Sequence, residues 1–252
     1  MRRVATQPKP KSERTFIWYL LATLALPLMN WLGRYDIIDR QKVPQRGAFV
    51  LAPNHYSEID PVVMGAAVWY SGRVPRFMAK ASLFKVPVLK ALLKASGQIP
   101  VERAGAMRGN DPVAAARTLA KQESAVVVYP EGTLTRDPDL WPMRGKTGAV
   151  RLALEAGIPL IPAAHWGTQR IMARYSKSIS FWPPRKRVVI KFGDPVDLSA
   201  FEGRPLDSQT LNAATAVLMD AITALLEDLR GEKAPAERWD PSKNNQKETG
   251  RF

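Results

Sequence analysis

The chain has no cysteine and only two histidines, His55 and His165, among its 252 residues. The absence of cysteine excludes disulfide bonds, thiol nucleophiles and thiolate metal sites. Two imidazoles are too few for a histidine-rich metal centre. We therefore expect no metal and no bound cofactor. A single domain, with or without an appendage, is expected from this length, and it can bury a full core.

Acidic residues are also in short supply, with 23 Asp and Glu against 37 Lys and Arg, a net charge of +14. The excess is concentrated in residues 1–46, 72–108 and 170–191, and the last of these segments contains no acid. Such segments are typical of proteins that meet phosphate-bearing partners: anionic lipid, nucleotide or nucleic acid. Any one of them could equally be a solvated surface. Few aromatic side chains lie within the basic runs, so we expect no nucleic-acid partner.

Long hydrophobic runs are absent. Phe16 to Leu32 is uncharged for 17 residues, and as a helix it would reach about 25 Å, short of the roughly 30 Å hydrocarbon core of a bilayer. Basic residues flank it on both sides, so no crossing direction is favoured. No small-residue cleavage site follows Leu32, which argues against a secretory signal. We expect a peripheral or monotopic protein on the cytoplasmic face of the cell membrane, attached through this segment to an anionic surface.

From Gly47 onward, apolar runs of strand length alternate with helical patterns, which predicts an α/β fold. The predicted strands are 48–52, 76–79, 98–101, 125–129, 159–163 and 188–192. The predicted helices are 61–70, 82–95, 112–122, 146–156 and 206–229. These patterns divide the chain into a basic, membrane-associating segment (1–46), an α/β domain (47–230) and a polar tail (231–252) that we expect to be disordered.

His55 follows the first predicted strand, and ligands of open α/β sheets bind at the carboxyl ends of strands. Asp60, five residues later, could hold Nδ1–H of the imidazole and leave Nε2 as a general base. Asp60 also precedes Pro61, and the pair Asp-Pro is a common helix start in which Asp caps the free amides. The sequence around these two residues fits both interpretations, and one residue can serve both. Ser57 is not in a nucleophile elbow and is better interpreted as a turn hydroxyl.

Two further groups end predicted strands. Arg103 is a candidate anion anchor, although an isolated Arg beside Glu102 is more often a surface ion pair. Glu131, Gly132 and Thr133 follow the strand that begins at Ala125 and predict either a ligand-binding turn or an ordinary capped turn. Arg136 follows soon after. His165 is more economically explained as a structural imidazole, because it has no metal-ligand spacing around it.

The order of these groups resembles that of the glycerolipid acyltransferase family. The motif Asn-His-x-Ser-x-x-Asp is met at Asn54, His55, Ser57 and Asp60, and an apolar strand ending in arginine is met at Ile99 to Arg103. Aromatic-Pro-Glu-Gly-Thr is met at Tyr129 to Thr133, and the apolar Ile-Pro strand at 157–162. The resemblance covers residues from about 47 to 195. It implies a mixed, mostly parallel sheet flanked by helices.

The resemblance also implies an activity: transfer of a fatty acyl group from acyl-CoA or acyl carrier protein to a lysophospholipid, foremost lysophosphatidic acid. His55 would be the base and Asp60 its orienting partner. The residues implied to bind the acceptor are Arg103, Glu131, Gly132, Thr133, Asn54, Ser57, Lys80 and Arg136. Ile161 and Pro162 would lie on the acyl-donor side.

One position departs from the family pattern. Many members have arginine directly after Glu-Gly-Thr, where this chain has Leu134, and Arg136 is two residues further along. The acceptor could therefore be a glycolipid such as a phosphatidylinositol mannoside, or glycerol 3-phosphate. A hypothesis of another class is a non-catalytic basic module that binds membranes or nucleic acid.

Overall fold

A seven-stranded sheet forms the centre of the protein in a computed structural model that describes residues 13–80, 84–101 and 120–247. Arg103 and most of the predicted helix 112–122 lie outside the described residues. The strands are β1 (Gly33–Ile38), β2 (Phe49–Pro53), β3 (Pro75–Lys80), β4 (Ile99–Val101), β5 (Ala125–Val127), β6 (Leu160–Trp166) and β7 (Lys186–Phe192). The helices are α1 (Phe16–Leu32), α2 (Asp60–Tyr70), α3 (Pro87–Ala95), α4 (Gly148–Ala156) and α5 (Ser208–Arg230).

The strand order is β1-β7-β6-β2-β5-β3-β4. Every neighbouring pair is parallel except β6 and β7, which are antiparallel. The prediction of a mixed, mostly parallel sheet flanked by helices is therefore confirmed. β2 lies between β5 and β6, so its carboxyl end is central in the sheet.

The sheet has an apolar layer on each face because side chains alternate along a strand. Phe49 and Leu51 of β2 face a core shared with α1 and α2. Val50 and Ala52 face a second core shared with α4 and α5. All five residues of β2 are buried, as expected of a strand covered on both faces.

Helix α5 is, within the described part of the chain, the one helix long and apolar enough to cross a membrane by length and composition. One face of this helix is nevertheless buried in the protein, at Leu211, Ala214, Leu218 and Ile222. It is the core helix of the second layer. The 17-residue α1 instead packs one side against α2 and exposes the other.

Two predictions about the ends of the chain are wrong. β1 was not predicted, and it pairs with β7 along its whole length, so the proposed boundary after residue 46 cuts through the sheet domain. The tail is ordered as far as it is described. The amide of Arg144 donates to the carbonyl of Trp239 (2.8 Å), and a short helix follows at Pro241–Asn244. Buried Pro241 and half-buried Trp239 give the polar tail its anchor.

Candidate active site

His55 and Asp60 lie in the turn between β2 and α2, at the carboxyl end of the central strand. Nδ1 of His55 is 3.0 Å from Oδ2 of Asp60. A carboxylate only accepts hydrogen bonds, so Nδ1 carries the proton and Nε2 keeps its lone pair. The His55 side chain is 14% exposed and that of Asp60 is fully buried. The geometry is that of a general base held by a buried carboxylate.

Asp60 has a hydrogen-bond donor on every side. Its Oδ2 accepts from the amides of Tyr56 and Ser57, both at 2.8 Å, and its Oδ1 accepts from the hydroxyl of Thr168 at 2.7 Å. Burial alone would raise the pKa of Asp60, but the proximity of His165 and the hydrogen bond from His55 outweigh burial and lower it. Asp60 therefore remains a carboxylate, the form that stabilises a protonated His55.

The helix-capping interpretation of Asp60 is wrong in its geometry. Asp60 is the first residue of α2, preceded by Ile59 at the N-cap position, which makes no side-chain cap. The carboxylate accepts from amides of the preceding turn, not from those that follow. Pro61 starts the helix as expected. The carboxylate thus closes the turn around His55.

The backbone of His55 is held by the turn that follows β5. Its amide donates to Oε1 of Glu131 (3.0 Å), and its carbonyl accepts from the amide of Thr135 (2.6 Å). Its ring stacks on Tyr129 with ring centres 4.0 Å apart. The motif predicted to bind substrate therefore also holds the backbone and ring of His55 in place.

Glu131 is fully buried, and its second oxygen accepts from the amide of Met143 (3.0 Å). Burial raises the pKa of Glu131 to about 8, against the opposing effect of the amides of Met143 and His55. Both oxygens accept from backbone amides in the interior, and the predicted contact of this carboxylate with the acceptor stays a prediction. Gly132 has a φ of +70°, which a side chain would strain, and it lets the chain turn back beside Lys146. Gly132 and Thr133 are half-buried and remain candidates for substrate contact.

His165, on β6, lies on the inner side of Asp60. Its Nε2 is 3.0 Å from the carbonyl of Asn54, which can only accept, so Nε2 carries the proton. The same nitrogen is 3.7 Å from Oδ2 of Asp60. Burial lowers the pKa of His165 despite the charge of Asp60, so the ring is neutral at pH 7. The sequence interpretation of a structural imidazole fits this arrangement.

Asn54 and Ser57 are buried and bonded within the protein. The amide group of Asn54 exchanges hydrogen bonds with the backbone of His165 (2.9 and 3.2 Å). The hydroxyl of Ser57 donates to the carbonyl of Met172 (2.6 Å). These bonds hold the His55 turn against β6 and the segment after it, and the predicted contact of the two residues with substrate stays a prediction.

The remaining predicted site residues lie in the protein interior, at the carboxyl edge of the sheet or outside the described residues. Arg136 is 1% exposed, with its charge near Tyr175, so it is a buried residue and not a surface anion anchor. Ile161 and Pro162 are buried in β6 at the centre of the sheet, paired with Leu51 and Ala52, and their place on the acyl-donor side stays a prediction. Lys80 ends β3 at the carboxyl edge of the sheet, and its predicted contact with the acceptor stays a prediction. Arg103 lies outside the described residues.

Thr168 and Tyr129 were not predicted as supports for the dyad. Thr168 is separated from Asp60 by 108 residues, and only the pairing of β6 with β2 brings the two together. The aromatic position before Pro130 was visible in the sequence, but its ring contact with His55 was not. A residue that acts on a distant turn leaves no local signal.

An apolar cavity of about 250 Å³ opens next to this turn. Its wall begins at Pro61, the residue after Asp60, and continues along the inner side of α1 and the facing side of α2. The lining residues are Trp18, Leu21, Ala22, Ala25, Leu26, Met29, Pro61, Val62, Gly65, Ala66, Trp69, Pro75 and Phe77. Its wall carries almost no polar surface, so it suits a hydrocarbon chain.

The sequence model of the acyltransferase family matches residues 34–166, more than half of the chain. The chain belongs to the acyltransferase family. The matched region contains the His55–Asp60 dyad, the Glu131 turn and His165. The solved 1-acyl-sn-glycerophosphate acyltransferase of Thermotoga maritima superposes on this acyltransferase with a TM-score of 0.63 at 20% identity, over 86% of this chain and 81% of that one. At that identity the likeness shows a shared fold.

Several relatives of this acyltransferase are named 1-acyl-sn-glycerol-3-phosphate acyltransferase. The 1-acyl-sn-glycerol-3-phosphate acyltransferase of Bacillus subtilis is 26% identical over 79% of this chain and 91% of its own. That of Haemophilus influenzae is 27% identical over 69% of this chain and 68% of its own. A chloroplastic enzyme of the same name from Brassica napus is 27% identical over 65% of this chain, which spans about half (46%) of that relative's length.

Proposed function

We propose that the protein transfers a fatty acyl group to the free hydroxyl of a lysophospholipid, with lysophosphatidic acid as the acceptor and phosphatidic acid as the product of phospholipid biosynthesis. The observation that carries the proposal is the 3.0 Å contact between His55 Nδ1 and buried Asp60, which leaves Nε2 as a base. The names of the relatives support the choice of acceptor.

In this mechanism Nε2 of His55 takes the proton of the acceptor hydroxyl as its oxygen attacks the carbonyl carbon of an acyl thioester. The new C–O bond forms, the C–S bond breaks, and the leaving thiolate receives the proton from the imidazolium. The charge of Asp60 stabilises that imidazolium. Transfer is direct, because the chain has no cysteine and the Ser57 hydroxyl is bonded to Met172.

The acceptor's phosphate is proposed to bind on the side of the β5 turn. Gly132 and Thr133 lie there at partial exposure, and Lys80 ends the neighbouring strand β3 at the same edge. Arg103 stays in the proposal as a phosphate ligand through its motif. Arg136 is left out because it is buried.

The acyl chain is proposed to lie in the apolar cavity between α1 and α2. The donor would be acyl-CoA or acyl carrier protein, whose thioester would then sit at the mouth beside Pro61. Because the donor is a substrate, no resident cofactor is needed for this chemistry.

Membrane attachment is proposed to run through α1. The exposed side of α1 carries Phe16, Leu20, Leu24, Leu28 and Trp31 at spacings of three and four residues, an apolar stripe along the whole helix. The other side packs on α2, with Tyr19 and Trp69 in edge contact at 5.6 Å. A helix packed along a domain favours lying in the cytoplasmic interface over crossing the bilayer.

The experiment that tests the function is acyl transfer from labelled acyl-CoA and acyl carrier protein to a panel of acceptors, with His55→Ala alongside wild type. The panel contains lysophosphatidic acid, glycerol 3-phosphate and a phosphatidylinositol mannoside. Phosphatidic acid made by wild type alone is the expected result. Transfer to another acceptor would keep the chemistry and replace the substrate, and no transfer with any pair would favour the basic binding module.

The cavity assignment has its own test, in the chain length of the acyl donor. Ala25→Phe adds a ring inside the cavity, and we expect it to shift preference toward shorter acyl chains. Leu24→Phe, on the exposed side of the same helix, is the matched control and leaves the preference unchanged. An unaltered chain-length profile for Ala25→Phe would place the acyl chain elsewhere.

A further inference from the structure

The loop before β7 exposes two large aromatic side chains next to the end of α1. Trp182 is 81% exposed and Phe181 is 52% exposed. Phe181 contacts the ring of Trp31, the last exposed residue of the α1 stripe, with ring centres 5.7 Å apart. The three aromatic residues therefore extend the apolar stripe from α1 onto a second part of the chain.

This loop is held in place by hydrogen bonds. The amide of Arg185 donates to the carbonyl of Trp31 (2.8 Å), and the amide of Ser180 donates to the carbonyl of Ile171 (2.7 Å). Nζ of Lys186 spans the loop from the carbonyl of Ser180 to that of Pro183. A contiguous patch of exposed apolar side chains such as Trp31, Phe181 and Trp182 is typical of a surface that contacts a partner or a membrane.

The loop lies at the same edge of the sheet as His55. β2 ends at Pro53, which is paired with Ala163 of β6. β6 continues to Trp166, which lies opposite Val189 in the middle of antiparallel β7, so the start of β7 extends beyond the end of β6. The segment that enters β7 at Lys186, and the start of β1 at Gly33 beside it, are therefore at the active-site edge.

Positive charge surrounds the aromatic residues. Residues 170–187 contain six Lys and Arg and no acid. Within the described part of the chain, Lys177, Arg185 and Arg40 form no ion pair, whereas Arg34 and Arg187 share Asp36. Beside Trp31 a groove of about 380 Å³ is lined by Arg34, Arg40 and Arg185 with the hydroxyl-bearing Tyr35 and Tyr70. Arginine side chains in a groove match the phosphates of lipid headgroups.

We propose that the loop Phe181–Trp182, together with Trp31, is a second membrane-contacting surface that inserts into the headgroup layer of an anionic bilayer and turns the active-site edge toward it. Tryptophan prefers this layer because its ring is apolar and its N–H is polar, and the basic residues around it supply the charge complement. The surface is continuous with the α1 stripe. The inference rests on the proposed membrane attachment and not on the reaction.

The test compares full-length wild type with the double variant Phe181→Ser/Trp182→Ser in flotation with vesicles of phosphatidylcholine containing phosphatidylserine. The matched control is Val217→Ser, an exposed apolar residue of α5 on the opposite layer. We expect the partition of the double variant to the vesicles to fall at least about tenfold, because two aromatic side chains no longer insert into the headgroup layer. The control should bind as wild type. Binding of the double variant equal to wild type would overturn the proposal.

Two further readouts separate the possible causes. Wild type should bind vesicles of phosphatidylcholine alone more weakly than anionic vesicles. Equal binding to both would contradict the proposed attraction between the basic residues and anionic lipid. Sedimentation of wild type and double variant without lipid should give the same mass; a dimer that becomes a monomer in the variant would instead make this surface a contact between two copies.

Activity is measured in parallel with a vesicle-embedded acceptor and a short-chain acceptor dissolved as monomers. The double variant should lose transfer to the embedded acceptor and keep transfer to the soluble one. If wild type transfers to neither acceptor while vesicle binding still depends on Phe181 and Trp182, the membrane surface stands and the proposed reaction fails.

Discussion

The two histidines lie on opposite sides of one carboxylate and differ in almost everything else. His55 is on a turn, partly exposed, with Nδ1 toward Asp60. His165 is on a strand, fully buried, with Nε2 toward the carbonyl of Asn54 and 3.7 Å from Asp60. Nε2 of His55 is the ring nitrogen that does not face Asp60, and the side chain is partly exposed, whereas the ring of His165 is completely buried. Burial and the partner of the protonated nitrogen, and not proximity to Asp60, decide which imidazole can exchange a proton with a substrate.

Replacement of His55 should have the largest effect. We expect His55→Ala to lower kcat by about 10²–10⁴-fold or more, because the base is gone while Asp60 keeps its three other donors. The check is single-turnover acyl transfer beside thermal unfolding. A variant that unfolds at the wild-type temperature and keeps its turnover would remove His55 from the mechanism.

Asp60→Asn should come next. An amide oxygen can take the place of Oδ2 and accept from Tyr56 and Ser57, while the amide NH₂ donates to Thr168, so the turn is kept. The charge that stabilises protonated His55 is lost, and we expect kcat to fall by about 10²–10⁴-fold with a small change in the unfolding temperature. A large loss of stability with little loss of turnover would mean that Asp60 is structural only.

His165→Gln tests the other side of the comparison through stability. The loss of the ring from a buried hydrogen-bonded position should cost about 1–3 kcal/mol in free energy of unfolding, with kcat changing much less than for His55→Ala. A loss of turnover as deep as that of the His55 variant would show that the buried imidazole also moves protons.

The stability difference between wild type and His165→Gln should depend on pH in a definite direction. Burial lowers the pKa of His165 below its ordinary value. As the pH falls through about 6.5, His165 therefore takes up a proton in the unfolded chain but not in the folded protein. This contribution to stability is complete above that pH and is lost as the pH falls below it. Denaturant titrations of wild type and His165→Gln should therefore converge as the pH drops from 7 toward 5, and a constant difference would contradict the shift.

Thr168→Val should have the smallest effect. It removes one hydrogen bond to Oδ1 of Asp60 and leaves that buried oxygen unpaired, at a cost of about 1–3 kcal/mol in unfolding free energy. Thr168→Ser keeps the hydroxyl and is the control. We expect kcat to fall less than in Asp60→Asn. A kcat loss that is larger in the serine variant than in the valine variant would mean that the methyl group, not the hydrogen bond, matters.

The sequence predicted those parts of the fold and site that depend on local pattern. β2, α2 and the pairing of His55 with Asp60 all fall within residues 49–70, and an apolar run, a turn and the pair Asp-Pro predict them. β1 escaped prediction because Arg34 to Ile37 is only partly covered and shows no strand pattern. The inward orientation of Glu131 depends on the amide of Met143, and that of Asn54 on the backbone of β6. Such partners are set by strand register, which a single sequence does not display.

The contacts that hold His55 and Asp60 also have a consequence for the folding of the chain during synthesis. The backbone of His55 needs Glu131 and Thr135, and its aspartate needs Thr168, all of which follow it by 76 to 113 residues. When β2 and α2 have left the ribosome, His55 and Asp60 are both present, but the residues that hold them in position have not yet been synthesised. We expect proton transfer only after β6 has joined the sheet, so a truncated chain that ends before Thr168 should have no activity.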